Sequence, residues 1–169
     1  MLTKRENLIE TLRGGKPDRY VNQFEALEFI FATPYNRKGR PTMPGQETVN
    51  QWGVTIRWQE GTPGPFPVHD DEHIVLKDVT EWRTQVKSPS LDFPQEEWDV
   101  CKEMASKIDR KEKLATALLA PGVFDQLHYL MGMEGCLVSF YTEPDALKEL
   151  IGAITDWELE YARLICDNF

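Results

Sequence analysis

The chain has 169 residues, 41% of them hydrophobic with five Trp and eight Phe, which suits a packed core and excludes a disordered or low-complexity segment. Twenty-eight acidic against nineteen basic residues give a net charge of -9, so no basic footprint invites nucleic acid or an anionic membrane surface. No stretch approaches the ~20 apolar residues of a membrane helix, and the three cysteines form neither a disulfide framework nor a Cys-x-x-Cys site, which predicts a cytoplasmic protein with reduced thiols.

Met1 to Tyr20 reads as a complete opening unit. Thr3 and Glu6 have the spacing of a capping box, Leu8, Ile9 and Leu12 fall on one side of the helix that follows, and Gly14 and Gly15 permit the left-handed residue that ends it. Lys16-Pro17-Asp18-Arg19 then forces a turn. Tyr20 to Phe24 has the composition of a short strand, whereas Ala26 to Phe31 fits either a helical turn or more extended chain. Tyr35 to Gln46, basic and rich in Pro and Gly, reads as an exposed loop.

Val54, Ile56 and Trp58 alternate with polar residues as a strand does, and Ile74 to Leu76 is the expected partner. Thr80 to Val86 suggests a short helix and Lys87 to Phe93 a loop. Pro94 is placed as the first residue of a helix reaching about Ile108, with Trp98, Cys101 and Ala105 on its apolar face. Lys113 to Leu119 is a continuous apolar run, the pattern of a strand buried on both faces of a parallel sheet.

Two short helices are expected at Val123 to Met131 and Met133 to Phe140, separated by Gly132, and Thr142-Glu143-Pro144-Asp145 starts a last one. That last helix carries Leu147, Leu150, Ile151, Ile154, Trp157, Tyr161, Leu164 and Ile165 on one stripe, which runs to the end of the chain and is read as a sign of truncation.

His69-Asp70-Asp71-Glu72-His73 has donors enough for a divalent metal if helical. Pro65 and Pro67 upstream favour extended or turn geometry, so a solvated acidic loop is expected and no metal site is assigned. The glycines form no G-x-G-x-x-G or Walker loop and no serine stands in G-x-S-x-G, which argues against nucleotide and serine-hydrolase chemistry. Pro41-Thr42-Met43-Pro44 is a Pro-rich loop before it is a recognition motif.

Thr3-Lys4-Arg5-Glu6-Asn7-Leu8 through Gly15-Lys16-Pro17-Asp18-Arg19, the Ala120-Pro121-Gly122 turn with its following helix, and Glu143-Pro144-Asp145 together resemble the uroporphyrinogen decarboxylase superfamily. The resemblance implies an α/β fold, the amino-terminal part of a (β/α)8 barrel with about three strands and their outer helices. Such a barrel typically needs ~250 residues, so residues 1–169 are expected to form a single incomplete domain. It also implies an enzyme acting on a small molecule, with Tyr129 facing the substrate; its phenol can donate one hydrogen bond to a carboxylate or carbonyl, while the alternative is a core tyrosine. Phe124 and His128 share that segment as substrate-binding candidates, and His128 and Asp125 match no role that the resemblance implies.

Asn22-Gln23-Phe24-Glu25 is expected to follow the first strand on the active face. There the resemblance breaks down, because the porphyrinogen decarboxylases place two arginines at this turn and this chain has Gln23 and Glu25. Losing guanidinium clamps disfavours a polycarboxylate and favours a smaller, less anionic or cationic substrate. Glu25 is therefore a general-base candidate, with a solvated or capping carboxylate as the alternative.

The methyltransferase-like or uncharacterised branch is preferred to genuine porphyrinogen decarboxylation. In the methyltransferase branch the resemblance implies zinc, with ligands outside these residues since Cys101, Cys136 and Cys166 do not match, and a corrinoid protein partner; a homodimer is also compatible. A different class, a non-catalytic α/β module that binds or assembles, stands beside these readings.

Overall fold

The computed structural model describes all residues, 1–169. In chain order its elements are α1 (Lys4–Leu12), α2 (Gln23–Ala26), β1 (Leu27–Ile30), β2 (Glu47–Val49), β3 (Thr55–Arg57), β4 (Phe66–Pro67), a 3-10 turn (Val79–Glu81), α3 (Trp82–Gln85), α4 (Gln95–Ser106), β5 (Leu114–Ala117), α5 (Val123–Met131), α6 (Met133–Thr142) and α7 (Pro144–Asn168). The architecture is mixed α/β, with one two-stranded and one three-stranded sheet and no closed barrel. Two compact units result: Met1–Pro34, Phe93–Leu118 and Ile165–Phe169 form the first, Tyr35–Asp92 and Leu119–Leu164 the second.

In the first unit the expected capping box forms: Glu6 N–H donates to Thr3 Oγ1 at 3.1 Å and Thr3 N–H to Glu6 Oε2 at 2.8 Å. Gly14 adopts the left-handed conformation, φ 67°, that ends α1. Asn7, almost wholly buried, ties the turn to the helix, since its Nδ2 donates to the Leu2 and Thr3 carbonyls while its Oδ1 accepts from Arg19 N.

The strand expected at Tyr20 to Phe24 is absent. Asn22 caps α2 instead, accepting from Phe24 N at 2.8 Å, and extended chain begins only at Leu27. Of the ambiguous Ala26 to Phe31, Ala26 thus ends a helical turn and Leu27–Ile30 is strand.

β1 pairs with β5 in parallel, Leu27 opposite Leu114 and Ile30 opposite Ala117. Ile30, Cys101 and Ala105 make a buried cluster, joined by Ile108, Ala115 and Phe169, and the Cys101 thiol donates to the Ala32 carbonyl at 3.0 Å. Trp98, Cys101 and Ala105 do form the buried face of α4, although Pro94 caps that helix rather than opening it. β5 is shorter than expected and only half-buried along its length, because β1 is its one hydrogen-bonded neighbour.

In the second unit β2, β3 and β4 form an antiparallel sheet, with Thr48 opposite Ile56 and Ile56 opposite Pro67. Asn50 builds the β2–β3 turn: its side chain accepts from Trp52 N at 3.0 Å and Val54 N at 2.9 Å, and Gly53 sits at φ 82°. Pro67, lacking an N–H, suits an edge strand. Ile74 to Leu76 is therefore not the partner of β3; Leu76 is buried and its N–H goes to the Leu130 carbonyl of α5.

Gly132, φ 75°, separates α5 from α6 as expected. Along α7, Leu147, Leu150, Ile154, Trp157 and Tyr161 are buried at helical spacing. Trp157 Nε1 donates to the Pro89 carbonyl at 2.9 Å, and the Tyr161 hydroxyl accepts from Tyr35 N at 3.0 Å.

Tyr161→Phe leaves that buried Tyr35 N–H without its acceptor, at an expected cost of about 1–3 kcal/mol. Urea unfolding measures it; a midpoint equal to that of the unsubstituted chain would show that the bond is dispensable.

Candidate active site

α5 presents two sets of polar side chains, because consecutive helical residues point about 100° apart. Asp125 and His128, three residues apart, lie together: His128 Nε2 stands 3.2 Å from Asp125 Oδ1. Phe124 and Tyr129 flank the imidazole with ring centroids at 5.8 and 4.9 Å, and His69 meets it edge-on at 6.1 Å. The structure thus brings together Tyr129, His128 and Phe124 and adds Asp125 and His69 to them.

Asp125 can only accept, so in the neutral imidazole Nε2 carries the proton and Nδ1 presents its lone pair. Nδ1 is buried and has no partner. Burial, with His128 as a second cause, lowers the His69 pKa below its ordinary 6.5, against a backbone hydrogen bond at Tyr129 that raises it. Burial and then the Asp125 charge raise the Tyr129 phenol, while Arg40 lowers it. A phenol that holds its proton beside an Asp-oriented imidazole suits hydrogen-bond donation and general acid–base work.

His73 has a different partner from His69. Its Nδ1 lies 2.5 Å from Asp70 Oδ1, and Asp70 Oδ1 also accepts from the backbone N–H groups of Glu72 and His73. The segment is a turn closed on its own aspartate, and no group of three or more His, Cys, Asp or Glu side chains is placed to hold a metal ion.

Asn22, Gln23, Phe24 and Glu25 precede β1 instead of following it, which corrects their expected position at the carboxyl end of the first strand. Glu25 reaches back to Asn22 N at 3.0 Å and pairs with Arg19 at 2.9 Å. The Arg19 hydrogen bond and then the Asn22 backbone hold its carboxyl below the usual range. A carboxylate so engaged is a cap and ion-pair partner and a poor proton acceptor. Gln23 and Phe24 are exposed.

A small cavity of about 10 Å3 was not legible in the sequence. Tyr35, Trp52, Pro121, Gln126, Trp157 and Glu158 line it, drawn from five separate stretches of the chain. Leu119 and Ala120, which with Pro121 follow β5 in the chain, complete that part of the wall. Only the Ala120-Pro121-Gly122 turn carried a local signal, and the peptide between Ala120 and Pro121 is cis.

No family model, curated protein or solved structure matches the chain.

The lowered His69 pKa makes stability pH-dependent with a definite sign. The unfolded chain binds this proton more tightly, so the group costs nothing well above 6.5 and destabilises the fold as pH falls below that value. His69→Gln is expected to flatten the loss of urea stability below pH 6.5 relative to the unsubstituted chain; parallel profiles would show that His69 titrates as it does when unfolded.

Proposed function

We propose that residues 1–169 are the amino-terminal part of a (β/α)8-barrel enzyme of the uroporphyrinogen decarboxylase superfamily, acting on a small molecule. The observation that carries this reading is the parallel pairing of β1 with β5 across an intervening helix α4, followed by Ala120-Pro121-Gly122 and a helix bearing Tyr129. Parallel strands need a crossover, and carboxyl-end loops are where such barrels place their chemistry. The capped α1 and the turn at Pro17-Asp18-Arg19 add the sequence resemblance.

Within the superfamily the methyltransferase-like or uncharacterised branch is the better fit. Neither the turn before β1 nor the residues just after it, Phe31 to Pro34, supply an arginine for a polycarboxylate, and the one nearby guanidinium, Arg19, is paired with Glu25. Zinc does not fit the cysteines of this chain: the Cys101 thiol is engaged by the Ala32 carbonyl, and Cys136 is buried on α6. Tyr129 supplies the donor, Asp125 sets the tautomer of His128, and Phe124 offers an apolar rim.

The two-stranded parallel sheet has open edges, and Phe24, Phe31, Leu118 and Leu119 are exposed. The purified chain is expected to self-associate or to bind a hydrophobic dye, and a dye-silent monomer by light scattering would sink the partial-barrel reading. In the intact enzyme, Tyr129→Phe is expected to lower turnover by about 10- to 100-fold with little change in melting temperature. Unchanged turnover with a large stability loss would identify Tyr129 as a core residue.

A further inference from the structure

The cavity lined by Tyr35, Gln126 and Glu158 is independent of the Asp125–His128 pair. Its volume, about 10 Å3, is close to the roughly 10–15 Å3 that one water-sized group occupies by the same measure. Two of its lining groups are hydrogen-bond donors. Gln126 is 2% exposed and its Nε2 has no partner, an arrangement that is costly unless an acceptor approaches.

Tyr35 is also buried. Desolvation pushes the pKa of its phenol up to about 12, so the hydroxyl keeps its proton and can donate it. Glu158 lines the same cavity, and burial raises its carboxyl pKa.

The walls decide what the donors can take. A cation held by rings sits over an open ring face. Here Trp157 stacks on Tyr161 at 23° and meets Tyr35 and Trp52 at 63° and 71°, so its ring is already engaged with three others. An anion would bring a second negative group up to Glu158. What remains is a neutral acceptor atom with an apolar body small enough to leave the rings in place.

We propose that this cavity binds the oxygen of a neutral carbonyl or amide group, with Gln126 Nε2 and the Tyr35 hydroxyl donating to it. Pro121 and Trp157 form the apolar wall beside that oxygen.

Acetamide titrated into the 15N-labelled chain is expected to shift the Gln126 side-chain amide resonances saturably and to change tryptophan fluorescence. Acetate and methylammonium at the same concentrations leave both unchanged. Gln126→Leu abolishes the fluorescence response to acetamide, and Tyr35→Phe weakens apparent binding by about 5-fold. If acetamide moves no Gln126 resonance, which is also the result when water alone fills the cavity, the proposal is overturned. An equal or stronger response to acetate or methylammonium overturns it as well. The measurement reads occupancy and not turnover, so its failure leaves the family reading untouched.

Discussion

The parallel register of Leu27–Ile30 against Leu114–Ala117 is the constraint on which the first unit depends. A tight turn cannot join parallel strands, so the chain must leave after Ile30 and return before Leu114, and closing so long a path has an entropy cost that local contacts cannot repay. The repayment comes from burial. Ile30, Cys101 and Ala105 pack together, with Ile108 and Ala115 against them, and the Cys101 thiol finds the Ala32 carbonyl just beyond the strand. Helix α4 is thus tied to the strand it covers, and β1 and β5 each keep one edge without a strand.

Hydrogen-bond economy explains why the amino-terminal carboxylates are structural. Two capping boxes stand in close succession, Thr3 with Glu6 and Asn22 with Glu25. In each the acid satisfies a backbone N–H that a helix start leaves open. Glu25 also takes the Arg19 guanidinium, while Asn7 takes the Arg19 N–H, so the turn between the helices is fixed from both sides. The Glu25 carboxylate is thereby committed to the cap and the ion pair.

Helices were legible because their signals are local. Thr3 and Glu6, Gly14, Gly132 and the stripe from Leu147 to Tyr161 each specify a start, a stop or a face within a few residues. Strands were less so. Leu27–Ile30 is only four residues long and becomes a strand because Leu114–Ala117 pairs with it, a partner no local window contains. Glu47–Val49 is too short and polar to stand out, and Phe66–Pro67 was hidden by its proline. Ile74–Leu76 had the right composition, but Leu76 gives its N–H to α5. Of the site, Phe124, His128 and Tyr129 were visible from one helix, whereas His69 joins them only through the fold.

α5 is where these threads meet. Its nine residues have to satisfy three demands at once: Leu127, Leu130 and Met131 fill the core, Asp125 and His128 pair with each other, and Gln126 turns toward the aromatic cavity. Buried polar atoms without protein partners are costly, yet this helix contributes two of them, His128 Nδ1 and Gln126 Nε2. An amide and an imidazole two residues apart, each with a buried nitrogen lacking a partner, disfavour the fold locally, and such departures concentrate where a protein binds or reacts. Glu25 differs from both, since its oxygens are fully used in holding the chain together.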